Sequence, residues 1–144
     1  MTELQVVCHN CLARNRVPPS RLRDEPKCGK CHRSLFSGQV LELTDASFSK
    51  VLTAGSQPLL VIFWAPWCGY CQKTLPQFKQ ACSVLEPDFR LASLNTETHK
   101  LTAGHYAING LPTMIMFKNG KEIARQPGTL SQSQIIAWAR SRVS

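Results

Sequence analysis

Three Cys-x-x-Cys pairs stand in this chain: Cys8-His9-Asn10-Cys11, Cys28-Gly29-Lys30-Cys31 and Cys68-Gly69-Tyr70-Cys71. Two cysteines at this spacing can turn both sulfurs towards one point. Two chemistries use that: tetrahedral metal ligation by thiolates and reversible dithiol–disulfide exchange. The first two pairs are separated by sixteen residues, a spacing that falls in the zinc-site pattern. The expectation is a Cys₄ zinc ribbon in which Cys8, Cys11, Cys28 and Cys31 hold one structural Zn²⁺. Two further redox pairs, or two local disulfides, are the alternatives. Gly29 reads as the turn residue that lets backbone amides approach the sulfurs. His9 and His32 read as polar residues around the knuckles rather than ligands.

The third pair differs. It follows an apolar run, Leu59–Trp64, and opens a helix, and no second pair remains to share a metal with it. Cys68 at a helix N-terminus sits where unpaired amides and the helix dipole favour thiolate over thiol. Cys71 lies one turn along, within reach of a disulfide and shielded by the helix. Cys68 is thus the candidate nucleophile on a substrate disulfide, and Cys71 the candidate resolving thiol that leaves Cys68–Cys71 as the redox-active disulfide. A metal half-site or an inert pair is the bland alternative. Cys82, the seventh cysteine, reads as a small buried apolar residue, with a regulatory or dimerising thiol as the other option.

The elements that must position these residues follow from composition and periodicity. The chain of 144 residues is 43% hydrophobic and 18% charged, which fits a packed core and argues against global disorder. Met1–Phe36 holds four cysteines and few large apolar residues, so covalent or metallic links must hold it. Residues 1–37 are read as the ribbon segment and 38–144 as the catalytic domain. The predicted order in the second region is a strand Gln39–Leu43, a helix Ala46–Ala54 capped by Thr44 or Asp45, the strand Leu59–Trp64 and a helix from Cys68 towards Leu85 kinked at Pro76. A strand Leu91–Asn95, a helix Thr98–Tyr106, a hairpin Thr113–Lys118/Glu122–Arg125 across Asn119-Gly120 and a last helix Gln132–Arg142 follow. This β-α-β-α-β-α-β-β-α order implies an α/β fold, one mixed sheet with helices on both faces.

The net charge is +8, and the first 38 residues carry seven of the 17 Lys and Arg. With only Phe36 as an aromatic there, this reads as a solvated basic face rather than a nucleic-acid site. No apolar run is long enough to span a bilayer and no leader pattern is visible, so the expectation is a cytoplasmic, monomeric protein whose paired thiols serve metal binding or redox chemistry.

The stretch Phe63-Trp64-Ala65-Pro66-Trp67-Cys68-Gly69-Tyr70-Cys71 resembles the active site of the thioredoxin family. Pro76, Gly110-Leu111-Pro112-Thr113, Phe117-Lys118-Asn119-Gly120 and Gly128 match further family features in register over Gln39–Ser144. With its four-cysteine segment the chain is similar to the bacterial members that carry an N-terminal zinc domain. The resemblance implies a thioredoxin-like fold, reduction of protein disulfides, and recharging by an NADPH-dependent thioredoxin reductase. It also implies a cis bond before Pro112, and a substrate surface made by Trp67, Gly69, Tyr70, Leu111, Pro112 and Gly128.

Three positions depart from the family pattern. Tyr70 stands where proline is usual, and Gly-Tyr is also found in disulfide isomerases of the superfamily; a more oxidising couple is expected. Ile62 replaces a buried aspartate thought to move the proton of the second cysteine, and Ser93 replaces its lysine neighbour. An apolar site should therefore resolve mixed disulfides slowly. An isomerase or oxidase-like protein, and a zinc-dependent binding module with a redox-sensing role, are the competing functions.

Overall fold

The computed structural model describes residues 4–143. A two-stranded antiparallel hairpin, β1 (Leu4–Val7) and β2 (Arg14–Val17), comes first. A single 3₁₀ turn, Pro19–Arg21, and a cysteine-bearing loop lead into the larger unit. There β3 (Leu41–Leu43), α1 (Phe48–Ala54), β4 (Leu59–Trp64), α2 (Gly69–Leu85), β5 (Arg90–Asn95), α3 (Lys100–His105), β6 (Thr113–Lys118), β7 (Lys121–Pro127) and α4 (Gln132–Val143) follow in order. The five-stranded sheet runs β3-β5-β4-β6-β7. β4 is parallel to β5 and antiparallel to β6, so the sheet is mixed and the thioredoxin-like α/β reading holds.

The central strands are legible in their residues. Leu59–Phe63 and Thr113–Phe117 are buried throughout, because a strand covered on both faces needs apolar side chains at odd and even positions alike. Alternation decides which layer each joins. Val61 and Phe63 pack with Phe48, Val51 and Phe117 on one face, whereas Leu60 and Ile62 pack with Phe78, Leu85, Met114, Ile135 and Trp138 on the face covered by α2 and α4. Full burial of a side chain such as Phe63, Leu60 or Ile62 stabilises the fold by roughly 1.5–3 kcal/mol each. At the β6–β7 turn Asn119 and Gly120 both adopt positive φ, 54° and 78°, as a two-residue hairpin requires.

Boundaries shift where local hydrogen bonds win. α1 starts at Phe48 rather than Ala46, because Thr44 and Ser47 bond reciprocally: Thr44 N donates to Ser47 Oγ and Ser47 N to Thr44 Oγ1. α2 runs unbroken from Gly69 to Leu85 with Pro76 inside it.

The N-terminal segment has a small apolar cluster of its own, Val6, Cys8, Val17, Cys28 and Leu35, while Val7 joins the main core. Its attachment centres on Arg90 at the start of β5, a residue only 3% exposed. The guanidinium donates to Val7 O at 2.7 Å and Leu35 O at 3.1 Å, pairs with Glu86 at 3.0 Å, and lies 5.0 Å from the centre of the Phe36 ring. Glu86 also accepts from Gly38 N. Arg23 pairs with Asp88 on the surface, and Gln5 and Ser56 exchange two hydrogen bonds. These anchors gather at the C-terminal ends of α1 and α2 and the N-terminal end of β5. The third cysteine pair is at the opposite end of α2, a helix of 17 residues and so about 25 Å long.

Candidate functional sites: a dithiol on a helix end and a four-sulfur cluster

β4 ends at Trp64, and Ala65-Pro66-Trp67 carries the chain to Cys68, the N-cap of α2. Cys68 keeps extended backbone angles (φ −85°, ψ 111°), and its sulfur accepts the N–H of Cys71 at 3.2 Å. A sulfur bearing negative charge accepts such a bond more strongly than a neutral one. Gly69 is helical, with φ outside the positive region, and a Cβ there would meet no atom within 4 Å. Its contribution is the side chain it lacks beside the sulfur. Tyr70 is 67% exposed and Trp67 70% exposed, with Trp67 Nε1 donating to Glu97 at 3.0 Å.

Cys71 is fully buried, in a cluster with Ala65 and Cys68 against which Trp64 and Leu111 pack. None of the seven cysteines is in a disulfide. Burial pushes the Cys71 thiol up to about 12, and the hydrogen bond and charge of Cys68 push the same way, opposed by a backbone bond at Ala65. The proton therefore stays on Cys71, and Cys68, 6% exposed against none for Cys71, is the more accessible of the two sulfurs. The two positions that depart from the family pattern on the neighbouring strands, Ile62 and Ser93, carry no charge. Ile62 is fully buried, with Ser93 and Met114 as its cross-strand neighbours.

The loop before β6 completes the surface. The Leu111–Pro112 bond is cis, Leu111 packs against the dithiol cluster, and Gly128 N donates to Pro112 O at 2.9 Å. Gly128 has φ 92°, and a Cβ on it would point into open space, so only glycine holds this turn without strain. Cys68, Cys71 and Leu111 thus meet directly, with Pro112 and Gly128 joined beside them and Trp67 and Tyr70 exposed on the sequence that flanks Cys68. A second cis bond, Glu86–Pro87, lies at the far end of α2.

The other four paired cysteines form one cluster. Their sulfurs all lie within 4.8 Å of one another, with Cys8–Cys31 and Cys11–Cys28 at 3.6 Å. Four thiolates on a tetrahedral zinc with Zn–S bonds of about 2.3 Å would stand about 3.8 Å apart, so the set fits the ion. The two knuckles are copies of each other. Cys8 N bonds Ala13 O and Leu12 N bonds Cys8 O; Cys28 N bonds Arg33 O and His32 N bonds Cys28 O. Leu12 and His32 share positive φ, 64° and 66°. The protein surroundings treat the four sulfurs unequally. Burial holds Cys8 up at about 11; in Cys28 burial is outweighed by the N–H groups of Cys31 and Lys30 and the Asn15 amide, which bring it to about 6. Cys8, Cys11, Cys28 and Cys31 could together hold a divalent ion, which would stabilise all four as thiolates. Neither histidine belongs to the cluster: His9 meets Ser37 Oγ at 3.1 Å.

Sequence reasoning missed Arg90 and Glu86, whose spacing of four residues, from the C-cap of α2 to the start of β5, carries no functional signature. Cys82 is fully buried beside them, its thiol pushed up to about 12 by burial and the neighbouring Glu86. That agrees with the reading of Cys82 as a packing residue. No helix among the described residues is long and apolar enough to cross a membrane.

Comparison with known proteins gives two matches along the chain. The family described as thioredoxin matches residues 39–141, and the zinc-ribbon family described as thioredoxin 2, N-terminal, matches residues 7–33. Thioredoxin C-3 of Corynebacterium nephridii is 32% identical over 133 residues, covering 92% of this chain and 91% of that protein. Thioredoxin of Acidithiobacillus ferridurans is 36% identical over 108 residues, covering 75% of this chain and all of that protein. A protein disulfide-isomerase A6 homolog of Caenorhabditis elegans is 38% identical over 107 residues, 72% of this chain but 24% of that longer protein.

Proposed function

The chain belongs to the thioredoxin family, a thiol-disulfide oxidoreductase with Cys68 and Cys71 at the active-site position, and on that premise we propose that it reduces disulfides of protein substrates. The observation that carries this reading is the asymmetry of the pair: a sulfur at a helix N-terminus accepting an N–H, and a buried thiol that keeps its proton.

In the first step the Cys68 thiolate attacks one sulfur of the substrate disulfide. That bond breaks, a Cys68–substrate disulfide forms, and the departing sulfur leaves as a thiolate that takes up a proton. Trp67, Tyr70, Leu111, Pro112 and Gly128 receive the substrate's extended segment, with Gly69 leaving room beside the sulfur. Cys71 then gives up its proton and attacks Cys68 Sγ. The substrate departs with two thiols, and two electrons have passed from the dithiol to it. With Ile62 where a carboxylate would otherwise stand, water or the leaving sulfur takes the Cys71 proton. An NADPH-dependent thioredoxin reductase returns the two electrons to Cys68–Cys71.

Cys8, Cys11, Cys28 and Cys31 hold one structural Zn²⁺ per chain, which would supply cross-linking to a segment with little core of its own. Metal analysis of freshly reduced protein should give one zinc per chain. The protein acts as a monomer in the cytoplasm, on disulfide-bearing proteins rather than nucleic acid.

Tyr70 and the similarity to an isomerase homolog favour a second reading, a disulfide isomerase or oxidase-like role. Two assays separate them. Insulin reduction coupled to NADPH and thioredoxin reductase should be fast and refolding of scrambled ribonuclease slow; the reverse order would favour the isomerase.

A further inference from the structure

β3 is an outer strand of the sheet, paired only with β5, so one row of its backbone N–H and C=O groups faces away from the sheet. A cleft of about 810 Å³ runs along it. One wall is residues 39–42; the other is the two cysteine knuckles, presenting His9, Asn10, Arg33 and Ser34. The cleft exists because the Arg90 anchors seat the ribbon beside the sheet edge. Glu42 at its far end also lines a second cavity of about 330 Å³ that reaches Trp64. Trp64 in turn packs on the Cys68–Cys71 cluster. A track thus leads from the ribbon to the dithiol along the free edge of one strand.

Its charge is ordered. Arg33 is exposed and has no carboxylate partner among the described residues. Arg33 supplies the cation at the ribbon end, where it lines the cleft beside His9. Glu42 is the anion at the other end. A strand edge beside a groove is the geometry of strand addition, in which main-chain hydrogen bonds give affinity and side-chain contacts give selectivity.

We propose that this cleft docks an extended segment of a partner protein, its backbone paired along β3 and an acidic side chain set against Arg33, with no acidic residue facing Glu42. The segment's continuation brings the partner's disulfide past Trp64 to Cys68; this last part rests on the reductase reading, whereas the docking does not. The ribbon then contributes partner selection as well as stability.

The test uses the full zinc-loaded chain and a capped peptide, Glu-Val-Glu-Val-Thr-Val-Thr-Thr, with a control in which both Glu are Lys. Hydrogen exchange follows the amides of Leu41–Leu43. The acidic peptide should bind, slow exchange at β3, and weaken as salt rises. Arg33→Glu should weaken it roughly five- to tenfold, and Arg33→Lys should retain it. Failure of the acidic peptide to bind, equal binding of the lysine peptide, or an unchanged affinity in Arg33→Glu overturns the docking. A second arm attaches a disulfide loop to the acidic peptide. Arg33→Glu should raise KM for that substrate and leave kcat, and reduction of the loop alone, unchanged; an unchanged KM overturns the track. If wild-type protein reduces neither loop, the reductase reading fails while peptide binding still decides the docking.

Discussion

Replacing Arg90 by methionine should detach the ribbon from the catalytic domain at a cost large enough to measure. Arg90 and Glu86 are both 4% exposed in their side chains and 3.0 Å apart. The substitution keeps the apolar stem, removes the ion pair, and withdraws the donor from Val7 O and Leu35 O. Breaking a buried pair from one side costs about 3–5 kcal/mol, against a total stability of about 5–15 kcal/mol for a domain. Part of that is offset if Glu86 protonates, since burial already pushes its carboxyl up. With a urea dependence of about 1.5 kcal/mol/M, the midpoint should fall by about 2–3 M. Replacing both residues, Glu86→Leu with Arg90→Met, should recover a large share, because an apolar pair of similar volume leaves no buried charge. Zinc transfer to a chelator should also be faster in the single variant. A loss under about 1 kcal/mol, or a double variant no better than the single, would refute the reasoning that one buried pair fastens the ribbon.

Three further outcomes follow from the site. Ile62→Asp should cost several kcal/mol in denaturant unfolding, because the carboxylate enters a fully buried apolar layer with no cation on its Ser93 neighbour; a neutral or stabilising result contradicts this packing. Cys71 and Cys82 are both held up at about 12 from a usual 9.0, so the native state favours their protonated forms. Their stabilising contribution is complete below about pH 9 and is lost as pH rises towards 12; the reduced protein should therefore unfold more readily in that window, and Cys82→Ala should flatten the profile. With Tyr70 at the helix start, the Cys68–Cys71 couple should be more oxidising than ~−270 mV, the thioredoxin value; equilibration with glutathione measures it, and a value at or below that figure is the contrary result.

What the residues disclosed depends on where the information lies. β4 and β6 were readable to the residue because a doubly covered strand is an unbroken apolar run. The Cys68 pair was readable because strand, turn and helix signals surround it. The hairpin β1–β2 escaped, since Arg14-Asn15-Arg16-Val17 shows one apolar position in four, and pairing between short polar strands leaves little pattern. α3 is shorter than the helix expected over Thr98–Tyr106, starting at Lys100 and ending at His105. Arg90 was invisible for a deeper reason: a charged residue reads as surface, and only the tertiary arrangement of Glu86, Val7 O and Leu35 O makes its burial tolerable. The cis bond before Pro112 came from family resemblance alone, as local sequence favours trans. Where the ribbon sits was likewise a tertiary matter, and it packs at the end of the domain away from the dithiol.

The division of labour between the two active-site sulfurs is the centre of this account, and trapping tests it most directly. A Cys71→Ser variant, incubated with disulfide-bearing proteins and quenched with acid, should accumulate mixed disulfides through Cys68. A Cys68→Ser variant should capture none, because the thiol left to it is buried and holds its proton. Capture by Cys68→Ser, or none by Cys71→Ser, would contradict the assigned roles.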